Sequence, residues 1–322
     1  MAERNLVEQL DQAVNALLAG RPESATFDAE LAGLLVIAAD LRDVADPQFK
    51  SSLMAELIPQ TEEDNMPATT TERSDVIPYF VVNGASEMIT FLEEAFGAKE
   101  DARFKTPDGK IMHAAVRIGD SMLELGDASG QYPPMNFGIH LYVRDADAVY
   151  RSALRAGATS VREPADQFYG DREATVNDRW GNQWYIATHQ AAGQPIRPGY
   201  RAVTPFLHPK GTDQLIEFVK QTFGAQTVEE PYKTPDGLIA HAAMRIGNAL
   251  IEMGERHGEW APMPANLHVF VDDVDATYAR ALRAGATSAR EPADQPYGER
   301  VAGVVDPWGN NWWIAKPLKQ SR

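Results

Sequence analysis

The hydrophobic pattern of residues 76–127 alternates between the period of a strand and that of a helix. VIPYFVV (76–82) predicts a strand, and ASEMITFLEEAFGA (85–98) predicts a helix that ends at Gly97. DARFKT and KIMHAAVRI predict two strands joined by the turn TPDG, and SMLELGD predicts a fourth strand after a tight Gly119-Asp120 turn. The order of elements in this unit is therefore βαβββ.

The same pattern then restarts. FGIHLYV predicts a strand, DADAVYRSALRAGA predicts a helix with Asp145 as its N-cap, and three strand-like segments end in QWYIATH. Residues 198–317 repeat the whole arrangement about 128 positions later, and 155–172 differs from 283–300 at only three of eighteen positions. A repeat with one long period indicates a duplicated module. We predict two modules, at 76–192 and 198–317, each with the order βαβββ-βαβββ.

The chain before the modules has a different character. Apolar residues at helical spacing predict an α-helical segment over 1–58, and the polar, turn-prone stretch 59–75 reads as a linker. Residues 1–75 carry fifteen acidic and five basic side chains, so most of the net charge of −16 lies outside the modules. This acidity therefore says little about a ligand site in the modules.

Composition excludes several classes of function. A strongly acidic chain is a poor partner for nucleic acid. The absence of cysteine rules out disulfides, zinc-thiolate sites and cysteine nucleophiles, and it fits a reducing cytoplasm. The beginning of the chain lacks the apolar run of a signal peptide, and LAGLLVIAAD (31–40) is too short to cross a bilayer. We expect a cytoplasmic protein with a small-molecule ligand and without a nucleic-acid or membrane partner.

Several phrases within the repeat resemble a known family. FLEEAFGA and FVKQTFGA in the first helices resemble the vicinal-oxygen-chelate superfamily, that is, the glyoxalase/bleomycin-resistance/dioxygenase fold, and so do NDRWGNQWYIATH and VDPWGNNWWIAKP at the module ends. HAAVRIGDS and YGDR are similar to its PhnB-like branch. The resemblance covers 76–190 and 201–316. It implies an α+β fold in which each module curls a mixed sheet into a ligand-holding cup, with the helices outside.

The resemblance also bears on assembly. Single-module relatives in this superfamily form their dimers from two chains. Fusion of two modules supplies such a pseudo-dimer within one chain, so we expect either a monomer or a homodimer.

Strand alternation assigns side chains to the cup of the first module. In IMHAAVRI, His113 and Arg117 share the inward face, and in SMLELGD the inward face carries Glu124. A tight Gly119-Asp120 turn places Ala115 opposite Glu124, so His113 and Arg117 become its diagonal neighbours. The second module repeats this pattern with Ala243 opposite Glu252, flanked by His241 and Arg245. Such a trio is either a ligand site, with Glu124 and Glu252 as candidate catalytic bases, or a buried ion-pair network that only stabilises the sheet.

The resemblance implies where a metal would bind. Metal-dependent members carry ligands on the first, fourth, fifth and eighth strands. Those positions are Ile77, Glu124, Gly138 and Tyr185 in the first module, and Thr204, Glu252, Asn266 and Trp313 in the second. One carboxylate per module is too few for tight binding, so we expect no metal cofactor. The alternative is a divalent metal at a shifted site made of His113, Glu124 and His140, with His241, Glu252 and His268 as its copy.

Aromatic residues complete the predicted cups. The inward phase carries Tyr142 and Tyr185 in the first module, and Phe270 and Trp313 in the second. Aromatic walls with a few fixed polar groups suit a flat organic ligand, although these rings could equally fill a closed core. Arg172 and Arg300, in YGDR and YGER, are predicted either to meet an anionic group at the cup mouth or to form a local ion pair.

Three hypotheses for function follow. The first is a protein that binds a small, aromatic organic molecule in a metal-free cup. The second is an enzyme of the same superfamily, either a glyoxalase-like lyase, an isomerase or a dioxygenase, which uses a metal or a carboxylate base. The third is an interaction protein that acts through its acidic helical N-terminus. The sequence leaves open whether the chain is an enzyme.

Overall fold

The computed structural model describes residues 73–256 and 262–318. The predicted helical segment 1–58 and nearly all of the predicted linker lie outside the described residues. In the first module the elements are, in chain order, β1 (Val76–Val82), α1 (Ala85–Phe96), β2 (Lys99–Lys105), β3 (Ile111–Ile118), β4 (Ser121–Asp127), β5 (Gly138–Tyr142), α2 (Ala146–Arg155), β6 (Thr159–Asp166), β7 (Asp171–Asn177) and β8 (Gln183–His189).

The second module repeats this order. Its elements are β9 (Val203–Leu207), α3 (Thr212–Phe223), β10 (Gln226–Thr227), β11 (Tyr232–Lys233), β12 (Ile239–Ile246), β13 (Ala249–Met253), β14 (Asn266–Phe270), α4 (Val274–Arg283), β15 (Thr287–Asp294), β16 (Glu299–Val305) and β17 (Asn311–Pro317). The predicted α+β fold with βαβββ units is confirmed. The counterpart of β2 is split into β10 and β11 by a loop that contains Pro231, a residue that cannot donate a ladder hydrogen bond.

The strands form two sheets, and each sheet combines one half of each module. The first sheet has the order β15-β16-β17-β14-β1-β4-β3-β2. The second sheet has the order β10-β12-β13-β9-β5-β8-β7-β6, with β11 paired to β12. The implied arrangement of one curled sheet and one cup per module is therefore wrong. The repeat period fixes the elements of a module but does not specify which copy supplies the neighbouring strand.

Two antiparallel seams join the halves. In the first sheet β1 pairs with β14, and Ile77 lies opposite His268. In the second sheet β5 pairs with β9, and Gly138 lies opposite Phe206. Gly138 is required here because a Cβ atom at this position would lie only 2.7 Å from the carbonyl oxygen of Phe206. The two halves thus approach each other backbone to backbone.

The helix-facing sides of the sheets are packed within modules. In the first module Phe80 stacks on Phe137, with 4.8 Å between ring centroids, and Phe96 contacts Trp184 at 4.5 Å. In the second module Phe223 contacts Trp312 at 4.9 Å. Buried aromatic side chains of this size contribute much of the energy of a core. Each module therefore has its own aromatic packing, whereas each concave face is shared between modules.

The WGN phrases that end both modules have a structural role. The carboxylate of Asp178 accepts hydrogen bonds from the backbone N–H groups of Trp180 and Asn182, from the Asn182 amide and from the Trp184 indole. Gly181 in this turn has a φ of 87°, which favours glycine. Asp306 makes the same set of bonds in the second module. These residues hold the last strand of each module in place.

Among the described residues, no helix is long and apolar enough to cross a membrane.

A fragment that contains only residues 73–192 is expected to form a homodimer. It keeps the aromatic packing of the first module, but its β1 and β5 lose the strands they pair with across the seams. A second copy can supply both, because β5 is the counterpart of β14 and β1 that of β9. Light scattering after size-exclusion chromatography measures the mass. A folded monomeric fragment would contradict the seam as the site of association.

Candidate functional site

Two cups are formed by the concave faces of the sheets. The Glu124 cup belongs to the first sheet and is defined by Tyr79, Glu124, His268, Glu299 and Trp313. The Glu252 cup belongs to the second sheet and is defined by Phe206, Glu252, His140, Asp171 and Tyr185. Each cup contains strands of both modules.

The hairpin register predicted from the tight turns is observed. Ala115 lies opposite Glu124 in the β3–β4 pair, and Ala243 lies opposite Glu252 in the β12–β13 pair. The next strand of the first sheet places Tyr79 beside Glu124, and that of the second sheet places Phe206 beside Glu252. Each glutamate therefore sits near the middle of its cup, next to an aromatic ring.

Each glutamate is paired with a histidine of the other module. Nδ1 of His268 donates to Oε2 of Glu124 over 2.9 Å, and Nδ1 of His140 donates to Oε2 of Glu252 over 2.8 Å. His241 also donates to the second oxygen of Glu252, over 3.0 Å. The carboxylate of Glu252 is thus bonded at both oxygens. The described residues give Glu124 a hydrogen bond only at Oε2.

The other predicted neighbours of Glu124 lie elsewhere. Arg117 is exposed and forms an ion pair with Asp101 of β2. The ring of His113 contacts the rings of Tyr79 (5.8 Å) and Phe104 (6.3 Å). The predicted ion pair between Arg117 and Glu124 is therefore wrong, because β2 supplies a closer carboxylate.

In the second cup, Arg245 is half-buried, and its guanidinium lies near Gly199 in the segment between the modules. The structure therefore places it beside that segment, whereas it places His241 directly on Glu252.

Arg172 and Arg300 do not point into a cup. Arg172 pairs with Asp147 of α2 and with Asp166, and Arg300 pairs with Asp275 of α4 and with Asp294. Successive residues of a strand point to opposite faces. Asp171 and Glu299 face the cups, so the residues that follow them, Arg172 and Arg300, face the helices. The prediction that they meet an anionic ligand at the cup mouth is corrected, and their alternative as local ion pairs fits the structure.

The predicted sets for a shifted metal site are also separated. His113 and Glu124 belong to the first sheet and His140 to the second, while His241 and Glu252 lie in the second sheet and His268 in the first. In the combination that does form, the ring nitrogens of His140 and His241 point at different oxygens of Glu252. Among the described residues, no group of three or more histidine, aspartate or glutamate side chains could hold a metal ion. The donor set does not fit the metal site implied by the fold family.

Glu252 forms ion pairs with His140 and His241 inside its cup. Burial tends to raise the pKa of Glu252, but His140 and His241 outweigh it and hold the pKa well below its usual range. Burial tends to lower the pKa of His140, but the charge of Glu252 raises it. Glu252 is therefore an ionised, weakly basic carboxylate. A carboxylate with a lowered pKa is poorly suited to the predicted role of catalytic base.

The wall of the Glu252 cup is filled by its own polar groups. The carboxylate of Asp171 is 1% exposed and accepts from the Tyr142 hydroxyl, while His189 and Arg197 pair with it at 2.7 Å and 3.1 Å. Tyr200 packs edge-on against Tyr142, with ring centroids 5.6 Å apart. Arg197 and Tyr200 come from the segment that joins the modules. That segment therefore covers this cup.

Two aromatic side chains meet at the mouth of the Glu252 cup. Phe168, in the turn between β6 and β7, contacts Tyr232 of β11 with ring centroids 5.5 Å apart. These two strands lie at opposite ends of the second sheet, so the contact spans the mouth. Deeper in the cup, the Tyr185 hydroxyl bonds His208 over 2.9 Å, and burial followed by the charge of Arg256 lowers the pKa of His208 to about 3.

Within residues 73–256 and 262–318, the Glu124 cup has no counterpart of the Phe168 ring or of the Tyr142 hydroxyl. The position of Phe168 is occupied by Pro296, and that of Tyr142 by Phe270. The side chain of Glu299 is 21% exposed, against 1% for its counterpart Asp171. Glu124 is 9% exposed against 1% for Glu252, and His268 is 14% exposed against 9% for His140. The Glu124 cup is therefore the more open of the two.

A flat aromatic surface forms the floor of the Glu124 cup. A Cβ atom on Gly303 of β16 would lie 2.6 Å from the indole ring of Trp313, so the ring lies directly on the strand backbone. The indole N–H donates to Asn266, and Tyr132 contacts the ring edge at 5.7 Å. These contacts fix the orientation of Trp313, which is partly buried and packs against the apolar cluster of the cup.

Comparison with known proteins identifies the family. Residues 76–186 and 209–314 match the model of the Glyoxalase/Bleomycin resistance protein/Dioxygenase superfamily. The chain belongs to this superfamily. The predicted membership is confirmed, while assignment to the PhnB-like branch stays a prediction.

Individual members of the superfamily show different degrees of similarity. The uncharacterized protein Rv0887c of Mycobacterium tuberculosis is 40% identical over 131 residues, which cover 37% of this chain and 74% of that protein. A Mycobacterium bovis protein with the name "Putative glyoxylase CFP32" is 24% identical over 248 residues, covering 71% and 89%. Glyoxalase I from Zea mays is similar with a TM-score of 0.57 at 17% identity, over 75% of this chain and 92% of that one. This last likeness concerns the fold.

Sequence reasoning missed the acidic residues of β7 and β16, although the repeat contains a signal for them. The helix-facing residues of β7, Arg172, Ala174 and Val176, are identical to Arg300, Ala302 and Val304 of β16. The cup-facing residues all differ: Asp171, Glu173, Thr175 and Asn177 correspond to Glu299, Val301, Gly303 and Val305. Within this superfamily fold, the two copies have thus kept one face of the strand and changed the face that lines a cup.

The His140–Glu252 pair predicts a specific pH dependence. The raised pKa of His140 gives stability that is present below about pH 6.5 and is lost as pH rises through the folded-state pKa. The lowered pKa of Glu252 gives stability that is present above about pH 4.5 and is lost only in stronger acid. We expect His140→Gln to lower the free energy of unfolding by about 3 kcal/mol at pH 6, and by progressively less towards pH 9.

Urea denaturation of the wild type and of His140→Gln at several pH values measures this difference. Gln194→Ala, at an exposed position of the segment between the modules, serves as a surface control. A difference between wild type and His140→Gln that stays constant from pH 6 to pH 9 would show that His140 is uncharged in the folded protein.

Proposed function

We propose that the chain binds a small, flat organic molecule in the Glu124 cup, without a metal ion. The observation that carries this proposal is the asymmetry of the mouths. Phe168 and Tyr232 meet over the Glu252 cup, whereas the position of Phe168 is Pro296 at the Glu124 cup. Among the described residues, a pair of rings thus bridges one mouth and has no counterpart at the other.

The floor of the Glu124 cup supports a flat ligand. The indole of Trp313 is held against Gly303 and fixed by its hydrogen bond to Asn266. Tyr79 lies beside Glu124 on the neighbouring strand. Preorganised aromatic faces with a few polar groups are typical of sites for planar organic ligands, because no side chain has to be reordered on binding.

Binding fits the chemistry of the cups better than catalysis. The first sheet combines β1 and β4 of the first module with β14 and β17 of the second. The metal positions of the superfamily in the Glu124 cup are therefore Ile77, Glu124, Asn266 and Trp313. Only one of these side chains is a strong ligand for a divalent cation. In the other cup the carboxylate is ionised, buried and bonded at both oxygens. The lyase and dioxygenase hypotheses would require a donor set that these residues do not provide.

The hypothesis of an N-terminal interaction function concerns residues 1–58, which lie outside the described residues. It stays a prediction.

Filling the open mouth should abolish binding. Pro296→Phe introduces the residue found in the equivalent turn. In both turns the glycine N–H donates to the glutamine carbonyl oxygen over 3.0 Å, so the change should be accommodated. Saturation-transfer NMR with naphthalene-2-carboxamide as a flat probe should show binding to the wild type and a loss of at least tenfold in affinity for Pro296→Phe. The reverse change in the other turn, Phe168→Pro, is the matched control and should not weaken binding.

Equal affinity of the wild type and Pro296→Phe would contradict the Glu124 cup as the site. Failure of flat probes to bind the wild type at millimolar concentration would contradict the proposed function itself.

A further inference from the structure

We infer that the ligand of the Glu124 cup is an organic cation, a flat ring system that bears an amidinium, guanidinium or protonated amine. This inference rests on the proposed function and specifies its substrate class. The evidence for an organic cation is the set of polar atoms and charged side chains that face this cup.

The carboxylates of Glu124 and Glu299 are the charged acceptors of the Glu124 cup. Oε2 of Glu124 is used by His268, and Oε1 has no hydrogen-bond partner among the described residues. The carboxylate of Glu299 lies 3.8 Å from Nε2 of His268, which is too far for a hydrogen bond. Nδ1 of His268 donates to Glu124, and Nε2 of the same ring is buried without a hydrogen-bond partner among the described residues. A ligand with several N–H donors would satisfy these groups.

The two cups differ in how their carboxylates are neutralised. In the Glu252 cup, Arg162 pairs with Glu173, Arg197 pairs with Asp171, and His140 and His241 bond Glu252. In the Glu124 cup, the side chains of Glu124 and Glu299 share the single imidazole of His268. Among the described residues, no arginine pairs with Glu124 or Glu299, although Arg290, the counterpart of Arg162, is retained on β15. A positively charged ligand can supply the missing partner.

A guanidinium already lies on one aromatic face of the Glu124 cup. Arg73, three residues before β1, places its guanidinium carbon 3.5 Å from the ring centroid of Phe270. In the Glu252 cup the position of Arg73 is taken by Tyr200, three residues before β9, which packs on Tyr142. Phe270 belongs to the apolar cluster of the Glu124 cup with Ile77 and Val301. This face thus accepts a planar cation from the chain, as expected for a cation–π site.

The alternative use of Arg73, as a clamp for an anionic ligand, is disfavoured by its surroundings. An anion beside Phe270 would approach Glu124 and Glu299, and like charges at short distance in a partly buried site are costly. Arg290 lies near Tyr297 at the rim, on the exposed strand β15. The charges that face the interior therefore favour a cation that displaces Arg73 from the ring.

Three probes of the same shape test the charge of the ligand. Naphthalene-2-carboximidamide is a cation at neutral pH, naphthalene-2-carboxamide is neutral, and naphthalene-2-carboxylate is an anion. Isothermal titration calorimetry of the full chain should give one site per chain. We expect the amidine to bind at least tenfold more tightly than the amide, with the carboxylate weakest.

Two substitutions should change the affinity for the amidine in opposite directions. Glu299→Gln removes a partly exposed carboxylate and should weaken amidine binding about tenfold, while the affinity for the amide stays the same. Arg73→Ala removes the competing guanidinium and should strengthen amidine binding severalfold. Glu217→Gln, on the exposed side of α3 and paired with Lys220, removes the same charge at a distance and should leave both affinities unchanged.

The outcomes separate this inference from the proposed function. If the carboxylate binds most tightly and Arg73→Ala weakens it, the ligand is an anion and the inference is overturned, while the cup remains a binding site. Equal affinities for the amidine and the amide, with no effect of Glu299→Gln, also overturn it. If none of the three probes binds, the proposed function fails as well.

Discussion

The antiparallel seams between β1 and β14 and between β5 and β9 determine the chemistry of both cups. They are short, with three and four residue pairs, and each brings a histidine of one module to the glutamate of the other. Reciprocal hydrogen bonds of 2.8 Å between Asp75 and Asn248 tie the start of β1 to the β12–β13 turn, and Asp120 accepts from Ala202 at the equivalent place. Without this exchange of halves, neither buried carboxylate–imidazole pair would form.

Because each sheet combines strands of both modules, the residues that pack against the helices are separate from those that line the cups. The aromatic packing against the helices lies within modules, so it can stay the same in both copies while the cups differ. The strands β7 and β16, of seven residues each, show this division. Both carry Arg, Ala and Val on the face towards the helices, whereas every residue on the face towards the cup differs. Because side chains alternate between faces, a change on one face need not disturb the other. The two cups can therefore differ in their charged and aromatic side chains while the helix-facing packing stays the same.

Much of the fold could be predicted from the sequence, because it is encoded locally. Gly119 and Gly247 specify tight turns, so the register that places Ala115 opposite Glu124 follows from counting residues. The pairing of Glu124 with His268 could not be predicted. Both modules have the same pattern of strands, and the local sequence does not specify which module provides the strand that pairs with β1. The two alternatives for Arg172, an anion at the cup mouth or a local ion pair, are distinguished by the phase of β7, which places its side chain beside Asp147.

The most direct test of the account is a double-mutant cycle on Glu124. The account predicts that Glu124→Gln and His268→Gln are coupled, with an interaction free energy of about 1 kcal/mol or more, because they remove two partners of one buried pair. Glu124→Gln and His140→Gln should be additive, because the two residues lie in different sheets. Urea denaturation of the wild type, the single variants and the two double variants measures both terms. Coupling to His140 with additivity to His268 would place the cups within modules and contradict the account.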